Sequence, residues 1–165
     1  MVHKYHAMGA IFLTEEQELE MIDIDFGRMQ KILGELDYRL LYLDECNIFT
    51  LAHAEAHGIN LTDEYFPKYI EYLQKLNAHF IFLNIAPETS WTRRKESYQS
   101  RMFRFPEEER QGIMGRYFDY LETLHPALNR IFDRIELPKI KIDAKTTNEK
   151  VVKKIMEFLA DSQVL

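Results

Sequence analysis

Apolar and polar positions form two kinds of pattern along this chain, a helical spacing and short apolar runs. In residues 15–36 the apolar side chains recur three and four positions apart, and this spacing predicts an amphipathic helix. The same pattern predicts helices over residues 46–57, 63–77, 87–97, 107–125, 127–133 and 148–159. Pro87 fits the first turn of its helix, whereas Pro126 is expected to end the long one. The helices are therefore expected to alternate with the short apolar segments between them.

Three short apolar segments are predicted to be strands. They are RLLYLD (39–44), HFIFLNI (79–85) and IKIDA (140–144). A run such as RLLYLD is too short for a helix of its own and suits a strand that is buried on both faces. Short strands separated by helices predict an α/β fold with a parallel sheet covered by helices on both faces. Since no repeat or linker divides the chain, residues 1–165 are interpreted as a single domain.

Composition narrows the classes of function. The formal net charge of −6 at pH 7 argues against a nonspecific nucleic-acid binder, which needs a basic surface. The single cysteine, Cys46, cannot form an internal disulfide bond. There is neither an apolar run long enough for a membrane span nor a signal-peptide pattern. The cytoplasm is the expected compartment, with neither a membrane nor a nucleic acid as partner.

The predicted strands end in polar side chains. Asp44 and Glu45 close the first strand, Asn84 lies at the end of the second, and Asp143 lies near the end of the third. Ligands of parallel sheets bind in the crevice at the carboxyl ends of the strands. We therefore expect a ligand site at this edge.

Four stretches of the chain, taken in order, resemble parts of one family. They are RLLYLDECNIFTLAHA, HFIFLNIAPETSWTRRKES, RRKESYQSRMFRF and IKIDAKTTNEKVVKKIMEFL. The family is the P-loop kinases of nucleosides and nucleotides, in particular the thymidylate-kinase-like proteins. The stretches resemble its strand and helix beside the acceptor, its strand with a Pro-Glu turn and arginine-bearing helix, its lid, and its last strand and helix. The resemblance covers about residues 20–160 and implies a P-loop NTPase-like fold with a lid at 93–105.

The resemblance also implies an activity. It is ATP-dependent phosphoryl transfer to a nucleoside, a nucleotide or another small acceptor, with ATP and Mg²⁺ as cofactors. Asp44 would lie beside the acceptor hydroxyl and the magnesium ion, where a carboxylate can accept a proton or hold water on the metal. Arg94 and Arg101 would neutralise charge on the transferred phosphate, and Arg93 and Arg104 would help to bind the substrate.

Each of these residues also has a structural interpretation. Asp44 could cap a helix, and Glu45 fits an acid that is solvated in the first turn of that helix better than it fits a substrate contact. The arginines could lie on a solvated face, paired with neighbouring glutamates. Phe26 and Phe49 could flank a base in the acceptor pocket or belong to the core.

Two histidines have a spacing that could allow them to bind a metal ion together. His53 and His57 lie four positions apart on one predicted helix face, with Glu55 between them. The order HAEAH is not the HExxH motif, and the sequence offers no evident third ligand. Surface or pocket-lining positions are therefore the better interpretation.

Two features depart from the family. Glu45 stands where the family has the arginine of an Asp-Arg pair, and the phosphate-binding loop GxxxxGK[ST] does not occur in the chain. We therefore expect a domain that is truncated at its N-terminus and inactive by itself. A degenerate homologue and a likeness of fold alone are the alternatives. A degenerate homologue could serve as a non-catalytic binding module and form a homodimer through the surface that the missing strand would have covered.

Overall fold

The computed structural model describes residues 13–34, 47–101, 105–162 and 164, without the side chains of Tyr98 and Arg101. The predicted strand 39–44, with Asp44 at its end, lies outside these residues. Glu45 and Arg104 lie outside them as well.

The described residues are mainly helical. The helices are α1 (Glu15–Gly34), a 3₁₀ turn (Asn47–Phe49) leading into α2 (Thr50–Ala56), α3 (Thr62–Lys75), α4 (Pro87–Arg101), α5 (Glu107–Arg134) and α6 (Asn148–Asp161). Their bounds agree with the predicted helices within a few residues, except at Pro126. None of these helices has both the length and the apolar character needed to cross a membrane.

The predicted helix end at Pro126 is wrong, because α5 continues through it to Arg134. A proline inside a helix leaves one carbonyl without its N–H donor. Pro126 is exposed, so water can reach this part of the helix. The following residues Ala127 and Ile131 are buried in the core. Packing of this later part of α5 therefore outweighs the local cost of the proline.

Two strands, β1 (Phe80–Asn84) and β2 (Lys139–Asp143), form a parallel pair. Phe80 lies opposite Lys139, and Asn84 lies opposite Asp143. The predicted parallel pairing of the second and third strand segments is confirmed.

The predicted fold class is nevertheless wrong. The described residues are 74% helical, and their sheet has only two strands. One face of the sheet is covered by α5, with the rings of Phe82 and Phe132 5.2 Å apart. Apolar side chains elsewhere on β1 and on α6 remain about half exposed, namely Leu83 at 47%, Val152 at 56% and Met156 at 50%. The described fold is a helical assembly with a small sheet, because most of its apolar surface is buried between helices.

The core lies where α2 meets α1, α3 and α5. Leu51, Ala52 and Ala54 of α2 are fully buried there. Gly58 adopts the left-handed conformation, with φ of +79°, and stops the helix one residue after His57. This arrangement brings His53 and His57 to the junction of α1, α2 and α5.

Candidate functional site

The two aromatic residues assigned to an acceptor pocket lie among other aromatic rings. The ring centroid of Phe26 is 4.8 Å from that of Tyr69 and 5.5 Å from that of Tyr72. Phe49 lies 5.7 Å from Phe82. Both side chains are partly buried against the main core. Their contact with a ligand base stays a prediction.

The basic segment predicted to be a lid begins as part of helix α4. Arg93 and Arg94 are exposed on this helix, and Arg101 is its last residue. The two terminal nitrogens of Arg93 each donate a hydrogen bond of 3.1 Å to the carbonyl oxygen of Ala144, which directly follows β2. One guanidinium group is therefore held at the carboxyl edge of the sheet. The phosphate contacts themselves stay a prediction.

Asn84 and Asp143 lie together at the carboxyl edge of the sheet, as predicted. The side-chain oxygen of Asn84 accepts a hydrogen bond of 2.9 Å from Nε2 of His125 on α5. One carboxylate oxygen of Asp143 accepts a hydrogen bond of 2.8 Å from the backbone N–H of Lys145. Asn84 therefore connects β1 with α5, whereas Asp143 stabilises the local turn that follows β2.

A buried carboxylate on α1 faces a histidine at the end of α2. Oε1 of Glu18 and Nδ1 of His57 are 2.6 Å apart, and the two side chains are 1% and 5% exposed. The His57 ring stacks on Tyr120 of α5, with centroids 5.1 Å apart and an angle of 15° between the planes. The other ring nitrogen of His57, Nε2, is buried and has no hydrogen-bond partner. Nδ1 of this imidazole therefore has a hydrogen-bond partner, whereas Nε2 has none.

Tyr120 links this pair to the second histidine. Its hydroxyl forms a short hydrogen bond with Nδ1 of His53. Burial, and then the negative charge of Glu18, raise the pKa of Tyr120, so its hydroxyl keeps its proton and donates to His53. Desolvation, and then the neighbouring His57, lower the pKa of His53. Since the His53 residue is exposed, water still reaches it.

A cleft of about 490 Å³ lies beside His57, between the end of α2 and the middle of α5. Its walls combine charged, hydroxyl and apolar side chains, contributed by Leu13, Ala56, His57, Arg116, Asp119, Tyr120 and Thr123. His57 thus lines a pocket, as its preferred interpretation predicted. The cleft is largely open to solvent.

The described residues give no support to a metal site. Within residues 13–34, 47–101 and 105–162, no three His, Cys, Asp or Glu side chains come together in a way that could hold a metal ion. The Nδ1 atoms of His53 and His57 are engaged by Tyr120 and Glu18. The predicted magnesium contact of Asp44 lies outside this part of the chain.

Sequence reasoning missed Glu18 and Tyr120. Glu18 belongs to the buried stripe of α1, together with Ile22, Asp25 and Met29. An acid in such a stripe is the signal that could have pointed to Glu18, because a buried carboxylate needs a partner. Tyr120 gives no comparable signal, since aromatic residues are common in apolar helix faces.

No model of a protein family, no curated protein and no solved structure matches this chain.

Proposed function

We propose that this chain takes part in ATP-dependent phosphoryl transfer to a small acceptor, together with a phosphate-binding loop that these 165 residues do not contain. The observation that carries the proposal is the position of Arg93 against Ala144, at the carboxyl edge of the two parallel strands. Ligands of parallel sheets bind at this edge. Guanidinium groups are well suited to phosphate oxygens.

The roles of the basic side chains follow from their charge and exposure. A guanidinium group has five N–H donors, and the contacts of Arg93 with Ala144 occupy two terminal nitrogens. Arg94 is the next residue on the exposed part of α4. Phosphoryl transfer depends mainly on positioning and on neutralising charge, which such groups provide. In the proposal Arg94 and Arg101 contact the transferred phosphate, and Asp44 acts beside the acceptor and Mg²⁺.

The first test is the DNA upstream of Met1. An in-frame GxxxxGK[ST] motif is expected there. Absence of the motif, together with absence of turnover, would favour the non-catalytic binding module. The 165-residue chain by itself is expected not to turn over ATP. Micromolar binding of Mg-ATP to this chain, measured by calorimetry, would contradict the role given to the missing loop.

The second test uses the longer protein that carries the loop. Arg101→Ala should reduce phosphoryl transfer by about 10³-fold or more, because it removes charge stabilisation in the transition state. Its effect on folding should stay within about 0–1 kcal/mol, which is the usual contribution of a surface ion pair. Arg130→Ala is a suitable control, since Arg130 is an exposed arginine of α5 that pairs with Glu55. Equal turnover of the two variants would show that Arg101 has no part in the reaction.

A further inference from the structure

The unpartnered nitrogen of His57 requires an explanation. Buried polar atoms in native proteins almost always have a hydrogen-bond partner, and one that lacks it often marks a bound water, ion or ligand. Nε2 of His57 is buried without such a partner, although Nδ1 of the same ring is 2.6 Å from Glu18. His57 itself forms part of the cleft wall. The cleft and the unpartnered atom are thus two separate observations about one place.

The partner of Nδ1 determines what Nε2 can do. A carboxylate only accepts hydrogen bonds, so the proton of a neutral His57 is assigned to Nδ1, which donates to Glu18. The lone pair then belongs to Nε2. A group that satisfies this atom must therefore donate a hydrogen bond, as a hydroxyl does.

The other polar groups of the cleft point to the same chemistry. Asp119 can only accept while it is ionised. The Thr123 hydroxyl donates to the carbonyl oxygen of Asp119 at 3.0 Å, which leaves its own oxygen free to accept. The wall contains one side chain of each charge, Arg116 and Asp119. A neutral ligand with several hydroxyl groups matches this wall better than a charged ligand does.

Arg116, Asp119 and Thr123 of the cleft wall are exposed residues of α5, so a ligand in the cleft can reach them. Tyr120 offers an aromatic ring, and Leu13 and Ala56 offer apolar surface, against which the C–H groups of such a ligand can pack.

We propose that this cleft binds a small, neutral, polyhydroxylated molecule, with Nε2 of His57 accepting a hydrogen bond from one of its hydroxyl groups. The chemical class is that of a pentose, a hexose or a cyclic polyol. The proposal does not depend on phosphoryl transfer, since it uses none of the residues assigned to that reaction. A ligand of this size should bind with a dissociation constant in the millimolar range.

The test follows the imidazole nitrogens of the 165-residue chain by NMR during titrations with D-ribose, D-glucose and myo-inositol. At least one of these probes should shift Nε2 of His57 in a saturable way. His79 serves as an internal reference, because its Nδ1 is bonded to the carbonyl oxygen of Asn77 and it does not line the cleft. If none of the three probes shifts His57, or if His57 and His79 shift alike, the proposal is wrong.

A pair of threonine variants makes the test specific. Thr123→Val removes a hydroxyl from the cleft and should weaken binding about three- to tenfold, the equivalent of one hydrogen bond. Thr92→Val is the matched control, because Thr92 is exposed on α4 and its hydroxyl donates to a carbonyl four residues earlier in the same way. Thr92→Val should bind as the unaltered chain does. Equal weakening in both variants, or none in Thr123→Val, would place the probe outside this cleft.

Discussion

Two buried carboxylates on α1 are held in different ways. Asp25 and Glu18 lie two helical turns apart and are 2% and 1% exposed. Oδ2 of Asp25 accepts hydrogen bonds from the hydroxyls of Thr50 at 2.7 Å and Tyr69 at 2.9 Å. Glu18 instead faces His57. One acid thus has neutral donors, whereas the other has a partner that can carry a positive charge.

In the Asp25 cluster, the hydrogen bonds to the carboxylate do not offset the unfavourable desolvation of its charge. Desolvation raises the pKa of Asp25, although Thr50 and Tyr69 act in the opposite direction. Arg28, with NH1 3.9 Å from Oδ1 of Asp25, also acts to lower this pKa, but less than the two hydroxyls do. Burial therefore outweighs all three favourable contacts at this site.

The two clusters also differ in whether one of their polar atoms lacks a hydrogen-bond partner. The hydroxyl protons of Thr50 and Tyr69 are both donated to Asp25. The ring of His57 has a second nitrogen, which remains unpartnered beside the cleft. The Asp25 cluster is complete within the fold, while the Glu18 cluster offers an atom to a ligand. This difference assigns a structural role to the first cluster and makes the second the candidate site.

The largest effect is expected for His57→Leu, which leaves Glu18 buried beside an apolar side chain. A buried acceptor that loses its hydrogen-bond donor typically destabilises a protein by about 1–3 kcal/mol, and by more when the acceptor is charged, as a carboxylate is. Urea denaturation at neutral pH measures this loss. The double variant Glu18→Gln/His57→Leu should recover part of the stability, because no charge is then buried. If His57→Leu lost less than about 1 kcal/mol of unfolding free energy, the loss would lie below the range for a buried acceptor without its donor, and Glu18 would not depend on His57.

A smaller effect is expected for Tyr69→Phe, which removes one hydroxyl donor from Asp25 and keeps the aromatic ring. A buried acceptor that loses a donor typically destabilises the fold by about 1–3 kcal/mol. Tyr72→Phe is the control, because the Tyr72 hydroxyl accepts its hydrogen bond from Gln30 at an exposed position, and it should stay within about 0.5 kcal/mol. Equal losses of unfolding free energy in the two variants would show that Asp25 gains nothing from Tyr69.

The smallest effect is a change with pH. Because the pKa of Asp25 is raised in the folded chain, the folded state keeps its proton at pH values where the unfolded state, with a pKa near 3.8, has released it. The stabilisation from this proton is complete below that value and is lost as the pH rises through the folded pKa.

Asp25→Asn cannot titrate and should remove this dependence. The free energy of unfolding of the unaltered chain, relative to that of Asp25→Asn, should therefore fall as the pH rises above about 3.8. Urea denaturation at several pH values measures the difference. Asp23→Asn changes an exposed acid of the same helix and is the control. A relative stability that rises with pH would mean that the hydrogen bonds to Asp25 outweigh its burial.

Local pattern in the sequence was enough to locate the helices and both described strands. The apolar spacing within 15–36 predicted α1, and HFIFLNI predicted β1, because periodicity and short apolar runs report directly on local structure. The prediction failed at Pro126, where burial of Ala127 and its neighbours keeps the helix going. It also failed for the fold class, since the strand-like runs do not reveal how much of a sheet the helices cover.

Most of the candidate site could not be predicted from the sequence. The sequence predicted a surface or pocket-lining position for His57, but its partner Glu18 lies 39 positions away and its stacking partner Tyr120 comes from another helix. By itself the sequence determined which segments are helix and strand, since those depend on neighbours along the chain. The tertiary structure decided which carboxylate is paired, which is held by hydroxyls and which nitrogen is left over, because burial and hydrogen bonding depend on residues that only packing brings together.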